Sequence, residues 1–151
     1  TSRYYKISTC RQRVVDTTIL NPRVVCCLDN MESRKTCFNN WKQTLTIMPE
    51  TKKNAFFIDG RLNAEEFQIF FIKGEDTYNI DRYSQDFLFD DSAVEDAVCS
   101  YKQTTYTAMM IGGMIANLIV NFVSNTYNNE FRALHFMTYY NASTMITTYL
   151  D

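Results

Sequence analysis

The sequence predicts an α/β fold, in which helices pack against a mixed β-sheet. Apolar runs rich in β-branched and aromatic residues, at 23–28, 55–58 and 66–73, are interspersed with segments of helical spacing. A chain of 151 residues with 46% hydrophobic side chains is long enough for one domain with a sizeable core. We therefore interpret residues 1–151 as a single domain.

The first elements are a strand followed directly by a helix. Residues 3–18 favour extended structure, and after an Asn-Pro interruption residues 23–28 form a buried strand. Asp29 or Asn30 can cap the helix, which runs to about residue 43. A strand that ends in Asp places this carboxylate at the edge of the sheet where open α/β folds bind their ligands.

The middle of the chain predicts two further strands. Residues 55–58 form a short strand, Asp59-Gly60-Arg61 a turn, and the alternating residues 66–73 the next strand. Residues 74–104 are polar and acidic and form a crossover-type loop. Residues 133–140 alternate as a closing strand.

An apolar segment at 104–123 predicts a long helix. Its length approaches that of a membrane span, but Asn117 and Asn121 lie on one face and neither flank is strongly basic. We therefore expect no membrane insertion and place this helix in the core or at a subunit interface. The Gly112-Gly113 pair would let another backbone approach it closely.

Charge and cysteine content limit the function classes. Fifteen basic and 17 acidic side chains, without a basic stripe, give no electrostatic footprint for nucleic acid. Five cysteines without a CxxC pair predict reduced thiols in a cytoplasmic protein rather than a disulfide framework or structural zinc. Cys26 and Cys27 are adjacent in a strand and point to opposite faces. His135, the only histidine, is interpreted as a packed or edge residue rather than a general base.

Three parts of the chain resemble the ThiF/MoeB/HesA adenylyltransferases, the superfamily that includes ubiquitin-activating enzymes. They are Asp29-Asn-Met-Glu-Ser-Arg34-Lys35, then Ile58-Asp-Gly-Arg-Leu-Asn-Ala-Glu65, and then the set Arg82-Tyr83, Leu88-Phe89 and Cys99-Ser-Tyr-Lys-Gln-Thr-Thr-Tyr106-Thr-Ala108. The resemblance covers roughly residues 24–123 and implies a Rossmann-like mixed sheet with flanking helices. It also implies ATP-dependent adenylation of the C-terminal carboxylate of a ubiquitin-like or sulfur-carrier protein, followed in some members by thioester formation on a cysteine.

The resemblance also implies roles for individual residues. Asp29 would hold Mg²⁺ beside the phosphates of ATP, and Asn30 would join it in binding the cofactor; a simple helix cap is the alternative explanation for Asp29. Arg34 would brace the Asp29 loop or contact a phosphate. Cys99 would accept the acyl group, with a helix N-terminus and Lys102 favouring its thiolate; the alternative is an inert thiol.

The sequence departs from this family at the nucleotide-binding loop. The family's G-x-G-G-x-G loop, which cradles phosphate, is absent, so the predicted fold lacks the N-terminal glycine-loop unit. Arg11-Gln12 could be a remnant of the family's Arg-Gln segment. Missing N-terminal residues, a partner subunit that supplies the other half and a degenerate relative all remain open as explanations.

Two functional hypotheses follow. The first is the carboxyl-terminal part of an adenylyltransferase that acts as a homodimer or with a partner subunit. The second is a catalytically silent binding or dimerisation module for a ubiquitin-like partner. In either case Arg61 and Glu65 could shape a groove for the carrier tail, and a surface ion pair explains them equally well.

Overall fold

The computed structural model describes residues 8–89 and 104–151 and confirms the predicted α/β fold. One mixed sheet has the sequential strand order β1 (Arg23–Cys26), β2 (Phe56–Asn63), β3 (Glu66–Lys73), β4 (Met137–Asn141) and β5 (Ile146–Leu150). Strands β1 and β2 are parallel, and all other neighbours are antiparallel. The sheet is flanked by helices α1 (Met31–Ile47), α2 (Thr77–Asp86) and α3 (Thr105–Tyr127). This arrangement is consistent with a Rossmann-like α/β fold.

The β1–α1 unit matches the prediction closely. Strand β1 ends at Cys26, two residues before the predicted end. Helix α1 continues about one turn beyond residue 43, since Thr44 and Leu45 still face the core. A short 3-10 helix, Pro49–Asn54, follows immediately, and proline at this position cannot continue the α-helix.

The predicted turn at Asp59-Gly60-Arg61 is wrong, because β2 runs through these residues without interruption. The hairpin turn between β2 and β3 lies after Asn63, where Ala64 adopts a left-handed backbone with φ 44°. Asp59 is paired in register with Phe70 of β3, inside the sheet. The turn propensity of an Asp-Gly pair is overridden here by the tertiary partners of the Asp59 carboxylate.

The predicted acidic loop at 74–104 is partly helical. Asp76 caps α2 by accepting a hydrogen bond from the Asn79 backbone N–H at 3.1 Å, and Tyr83 is the buried residue of this helix. This helix is short and mostly polar, and Tyr83 is its one fully buried side chain, so its sequence resembles that of a polar loop. Residues 90–103, and with them Cys99 and Lys102, lie outside the described residues.

Helix α3 confirms the predicted apolar helix and extends it to Tyr127. One side of α3 packs on β2 and β3 through Ile111, Leu118 and Phe122. By length and composition α3 could cross a membrane, and about one third of its most apolar stretch is buried inside the domain (33%). The helix therefore has a core side and an opposite, open side.

The two ends of the described chain differ more from the prediction. The predicted strand at 133–140 begins only at Met137, and β5 follows it as an additional strand that was not predicted. Residues 8–18 contain no strand. They run beside α1, where the Asn40 side-chain amide donates to the Val15 carbonyl at 2.7 Å.

Apolar side chains cover both faces of the sheet, because successive residues of a strand point to opposite sides. The face under α1 and α2 buries Phe38, Trp41, Phe57, Phe70, Ile72 and Tyr83. The face under α3 buries Phe56, Ile58, Phe67, Ile69, Phe71 and Phe122. Asp59 follows Phe57 by two positions, so the strand periodicity directs its side chain into the α1 and α2 layer.

Candidate functional site at the carboxyl end of strand β1

Asp29 and Asn30 form the junction between β1 and α1, and both are exposed. The Asn30 side-chain oxygen accepts a hydrogen bond from the Ser33 backbone N–H at 2.8 Å, which is the geometry of an N-cap. The Asn30 amide donates to the Asp29 carboxylate at 3.1 Å. Of the two candidate caps, Asn30 takes this role, and Asp29 keeps an exposed carboxylate at the end of the strand.

We expect Asn30→Ala to lower the free energy of unfolding by about 1 kcal/mol, because the first turn of α1 loses its side-chain acceptor. Urea-induced unfolding, followed by far-UV circular dichroism, measures this difference. Asp29→Ala is the matched control and should change stability by less than about 0.5 kcal/mol. Equal losses in the two variants would contradict the assignment of the cap to Asn30.

Arg34 points into the protein from the first turns of α1. Its guanidinium donates to the Asp59 carboxylate and to the backbone carbonyl of Leu28, and lies 3.3 Å from the Gly60 carbonyl oxygen. Through these contacts Arg34 connects Leu28, the residue before Asp29, with strand β2. The Arg34 guanidinium is therefore turned toward the interior, and both of its predicted roles, bracing the Asp29 loop and contacting a phosphate, remain predictions.

Asp59 is the centre of a buried network and is fully inaccessible to solvent. Besides Arg34, it accepts hydrogen bonds from Arg61 Nε at 2.6 Å and from the Tyr83 hydroxyl at 2.8 Å. Arg61 also donates to the Phe87 carbonyl at 2.9 Å. One carboxylate thus pairs with two guanidinium groups, which leaves one net positive charge, and backbone carbonyls and the Tyr83 hydroxyl accept further hydrogen bonds from them.

Burial and the nearby Asp59 carboxylate raise the pKa of Tyr83 well above its usual range. The phenol therefore remains protonated and acts as a donor to Asp59. The guanidinium of Arg61 lies 4.6 Å from the centre of the Phe70 ring, a cation–π contact that helps to shield it. The hydrogen bonds and the cation–π contact thus compensate for the burial of the Asp59 and Arg61 charges.

Three cysteines lie near this network, two of them buried and one exposed. Cys26 and Cys37 are buried, free and in hydrogen-bond contact. The contact with Cys37 and the burial raise the pKa of Cys26, which favours the neutral thiol. Cys27 is exposed and its sulfur lies against Gly60, so the two adjacent cysteines point to opposite faces as predicted.

Within 8–89 and 104–151, no three His, Cys, Asp or Glu side chains form a group that could hold a metal ion. Mg²⁺ can be held by one or two carboxylates together with phosphates, so Asp29 could supply a single ligand. The exposed carboxylate of Glu32, in the first turn of α1, opposes a triphosphate at this helix N-terminus.

The other residues singled out in the sequence lie in separate places. Arg61 and Glu65 do not pair with each other, since Arg61 joins Asp59 and the Glu65 carboxylate accepts from the Tyr106 hydroxyl at 2.9 Å. His135 Nδ1 lies 2.7 Å from an Asp151 carboxylate oxygen, at the β5 edge of the sheet. The structure therefore brings Asp29, Asn30 and Arg34 together and leaves His135 elsewhere.

A cleft of about 370 Å³ lies at the opposite end of β1 from Asp29. Its lining consists of Asn21, Pro22, Arg23, Glu50, Thr51 and Asn54. Arg23 is partly engaged there, because its guanidinium donates to the Asn54 carbonyl at 2.9 Å and to the Tyr127 hydroxyl at 2.8 Å. This cleft does not coincide with the predicted cofactor residues.

Asp59 and Tyr83 are members of this network that sequence patterns do not identify. The sequence predicts a turn at Asp59, although this residue directly follows a run of apolar residues that is typical of a buried strand. A charged residue inside such a run signals a buried partner of opposite charge. Tyr83 carries no comparable signal.

No family model matches this chain, and no curated protein matches it.

Proposed function

We propose that this chain is a binding module for a ubiquitin-like or sulfur-carrier protein, on a scaffold similar to that of the ThiF-type adenylyltransferases, rather than a complete enzyme. The observation that carries this proposal is the commitment of Arg34 and Arg61 to the buried Asp59 carboxylate. Guanidinium groups held in this way stabilise the fold and are turned away from an incoming triphosphate.

The segments on which the resemblance rests converge on this network. Arg34 comes from the first segment, Asp59 and Arg61 from the second, and Tyr83 from the third. Their shared side chains thus have a structural task that is independent of nucleotide chemistry. This favours a relationship to the ThiF-type proteins in the fold and in the carrier protein that is bound, rather than in nucleotide chemistry.

Strand β1 offers a surface for the extended tail of a carrier protein. It is the terminal strand of the sheet and pairs on one side with β2. Val25, in its centre, is 45% exposed. An edge strand can accept an additional strand through backbone hydrogen bonds, which is a common mode of peptide recognition.

Isothermal titration with a small ubiquitin-like sulfur-carrier protein that ends in Gly-Gly tests this proposal. We expect binding without ATP, unchanged by Asp29→Ala and weakened at least about tenfold by Val25→Lys. Val15→Lys, at a valine of similar exposure (49%) outside the sheet, is the matched control. Binding that requires ATP, or equal losses in both lysine variants, would overturn the proposal.

The second candidate function is adenylation of the carrier's C-terminal carboxylate, with the nucleotide half supplied from elsewhere. The exposed Asp29 carboxylate at the end of β1 favours it. In that case Mg²⁺ and ATP would be the cofactors, and a thioester on Cys99 remains a prediction of the same hypothesis. ATP–pyrophosphate exchange should then disappear in Asp29→Ala and persist in Asp81→Ala, a control at an exposed carboxylate on α2.

A cytoplasmic location is also part of this proposal. The four cysteines within the described ranges are free thiols, as is typical of a reducing compartment. Labelling these thiols in cell extracts prepared with an alkylating reagent measures their redox state directly.

A further inference from the structure

The open side of helix α3 carries a regular row of exposed residues. Seven of them, spaced alternately three and four apart, form what we call the α3 seam: Tyr106, Met109, Gly113, Ala116, Val120, Val123 and Tyr127. All seven are exposed, and the five large side chains keep between 40% and 74% of their surface open. Alternating spacings of three and four define the contact positions of a coiled coil over three heptads.

The seam lies opposite the side of α3 that belongs to the core. Ile111, Leu118 and Phe122 face the sheet, and at 100° per residue they point almost directly away from the seam. The whole helix contains no Asp, Glu, Lys or Arg. An exposed apolar face of this length, about 34 Å, is typical of an interaction surface.

Gly113, near the middle of the seam, makes no close packing contact with the rest of the described domain. A Cβ atom at this position would meet no atom of residues 8–89 and 104–151 within 4 Å, and its φ angle is not positive. Glycine in a helix interior is unfavourable compared with alanine, so its presence needs another reason. Together with Ala116 it forms a flat centre at which a second helix can approach closely.

We infer that α3 packs against the α3 helix of a second copy of this chain through the α3 seam. The residues of the seam carry no charge and its centre is apolar, while the hydroxyls of Tyr106 and Tyr127 at its two ends bind the Glu65 carboxylate and the Arg23 guanidinium of their own domain. The same surface on both subunits can therefore pack around a two-fold axis without burying a charge at its centre. Its large side chains expose on the order of 500 Å² per chain, most of the roughly 800 Å² per partner of a standard interface. A net charge near −2 opposes this association only weakly.

A lipid bilayer fits the seam less well than a second helix. Spanning a membrane would pull α3 from the sheet and expose the apolar face made by Phe56, Ile58 and Phe71. Helices that lie on membrane surfaces carry Lys or Arg on their polar face, and α3 has neither. Contact positions spaced alternately three and four apart are those through which two helices pack in a coiled coil.

Sedimentation equilibrium of the 151-residue chain tests the inference. The expected mass is about 35 kDa, twice the 17.7 kDa of one chain. Ala116→Glu places two carboxylates in the contact and should raise the dimer dissociation constant at least about a hundredfold. Ala108→Glu is the matched control on the same helix, at an exposed position outside the seam, and should change the constant by less than about threefold.

Circular dichroism shows whether Ala116→Glu remains folded, and Val120→Glu provides a second seam variant. Three results would overturn the inference: a monomeric wild-type chain at concentrations up to about 1 mM, an undiminished dimer in both seam variants, or flotation of the chain with phosphatidylcholine vesicles. The dimer goes beyond the carrier-binding proposal, because α3 and the β1 edge are different surfaces. Carrier binding can be measured in the α3 seam variants, and dimerisation can be measured in Val25→Lys, so the failure of one proposal is distinguishable from the failure of the other.

Discussion

Asp59→Ala is expected to lower the free energy of unfolding by about 3–5 kcal/mol, a large part of the roughly 5–15 kcal/mol that is typical of a folded domain. The substitution leaves the guanidinium groups of Arg34 and Arg61 buried without their counterion, and the Tyr83 hydroxyl loses its acceptor. Urea unfolding, followed by the fluorescence of Trp41, the single tryptophan, measures the loss.

A second variant separates lost charge compensation from lost packing. The triple variant Arg34→Met, Asp59→Leu, Arg61→Met removes all three charges and keeps most of the side-chain volume. Because an apolar cluster needs no counterion, it should be less destabilised than Asp59→Ala alone. Asp81→Ala, at an exposed carboxylate, should stay within about 0.5 kcal/mol of the wild type. A triple variant less stable than Asp59→Ala would show that the network contributes through specific hydrogen bonding.

Trp41→Ala is expected to cost about 3–5 kcal/mol, through the cavity that it leaves in the α1 layer. Trp41 is fully buried, and its ring lies 5.6 Å from that of Phe38 and 5.5 Å from that of Phe57. Its indole N–H donates to the Pro22 carbonyl at 2.8 Å, at the point where the chain enters β1. The substitution therefore removes packing and a hydrogen bond that orients this strand.

Far-UV circular dichroism is the appropriate probe for this variant, since the fluorescent tryptophan is lost. Trp41→Phe keeps a ring in the core, loses the hydrogen bond to Pro22 and should be clearly less destabilised. Tyr78→Ala removes an aromatic ring that is 70% exposed and should cost less than about 1 kcal/mol. Similar losses for Trp41→Ala and Tyr78→Ala would mean that the α1 layer is not the principal core.

These two expectations bear on the proposed function. If Asp59 and its partners carry a large part of the stability, variants of Arg34 cannot be interpreted as catalytic without a measurement of folding. A test of adenylation is therefore better made with Asp29, which is exposed and lies outside the buried network. Dimerisation can likewise be tested with variants of the α3 seam, because the seam residues contribute little to the core.

The sequence by itself determined those features that depend on neighbours in the chain. The cap and first turn of α1, the apolar run of β1, the hairpin strand β3 and the uncharged helix α3 all follow from local spacing and composition. The opposite orientation of Cys26 and Cys27 follows in the same way from the period of a strand. Local rules also narrowed the helix cap to Asp29 or Asn30.

Only the tertiary structure decided the path of the chain at Asp59 and the contacts of the Arg34 guanidinium. Their ion pair joins residues 25 positions apart, and the Tyr83 hydroxyl reaches Asp59 across 24 positions. Contacts over such separations produce no recognisable spacing in a single sequence. Without knowledge of these partners, the Asp-Gly pair predicts a turn. The strand persists because three donors neutralise that carboxylate in the interior, an effect that exists only once α1, α2 and the sheet have packed together.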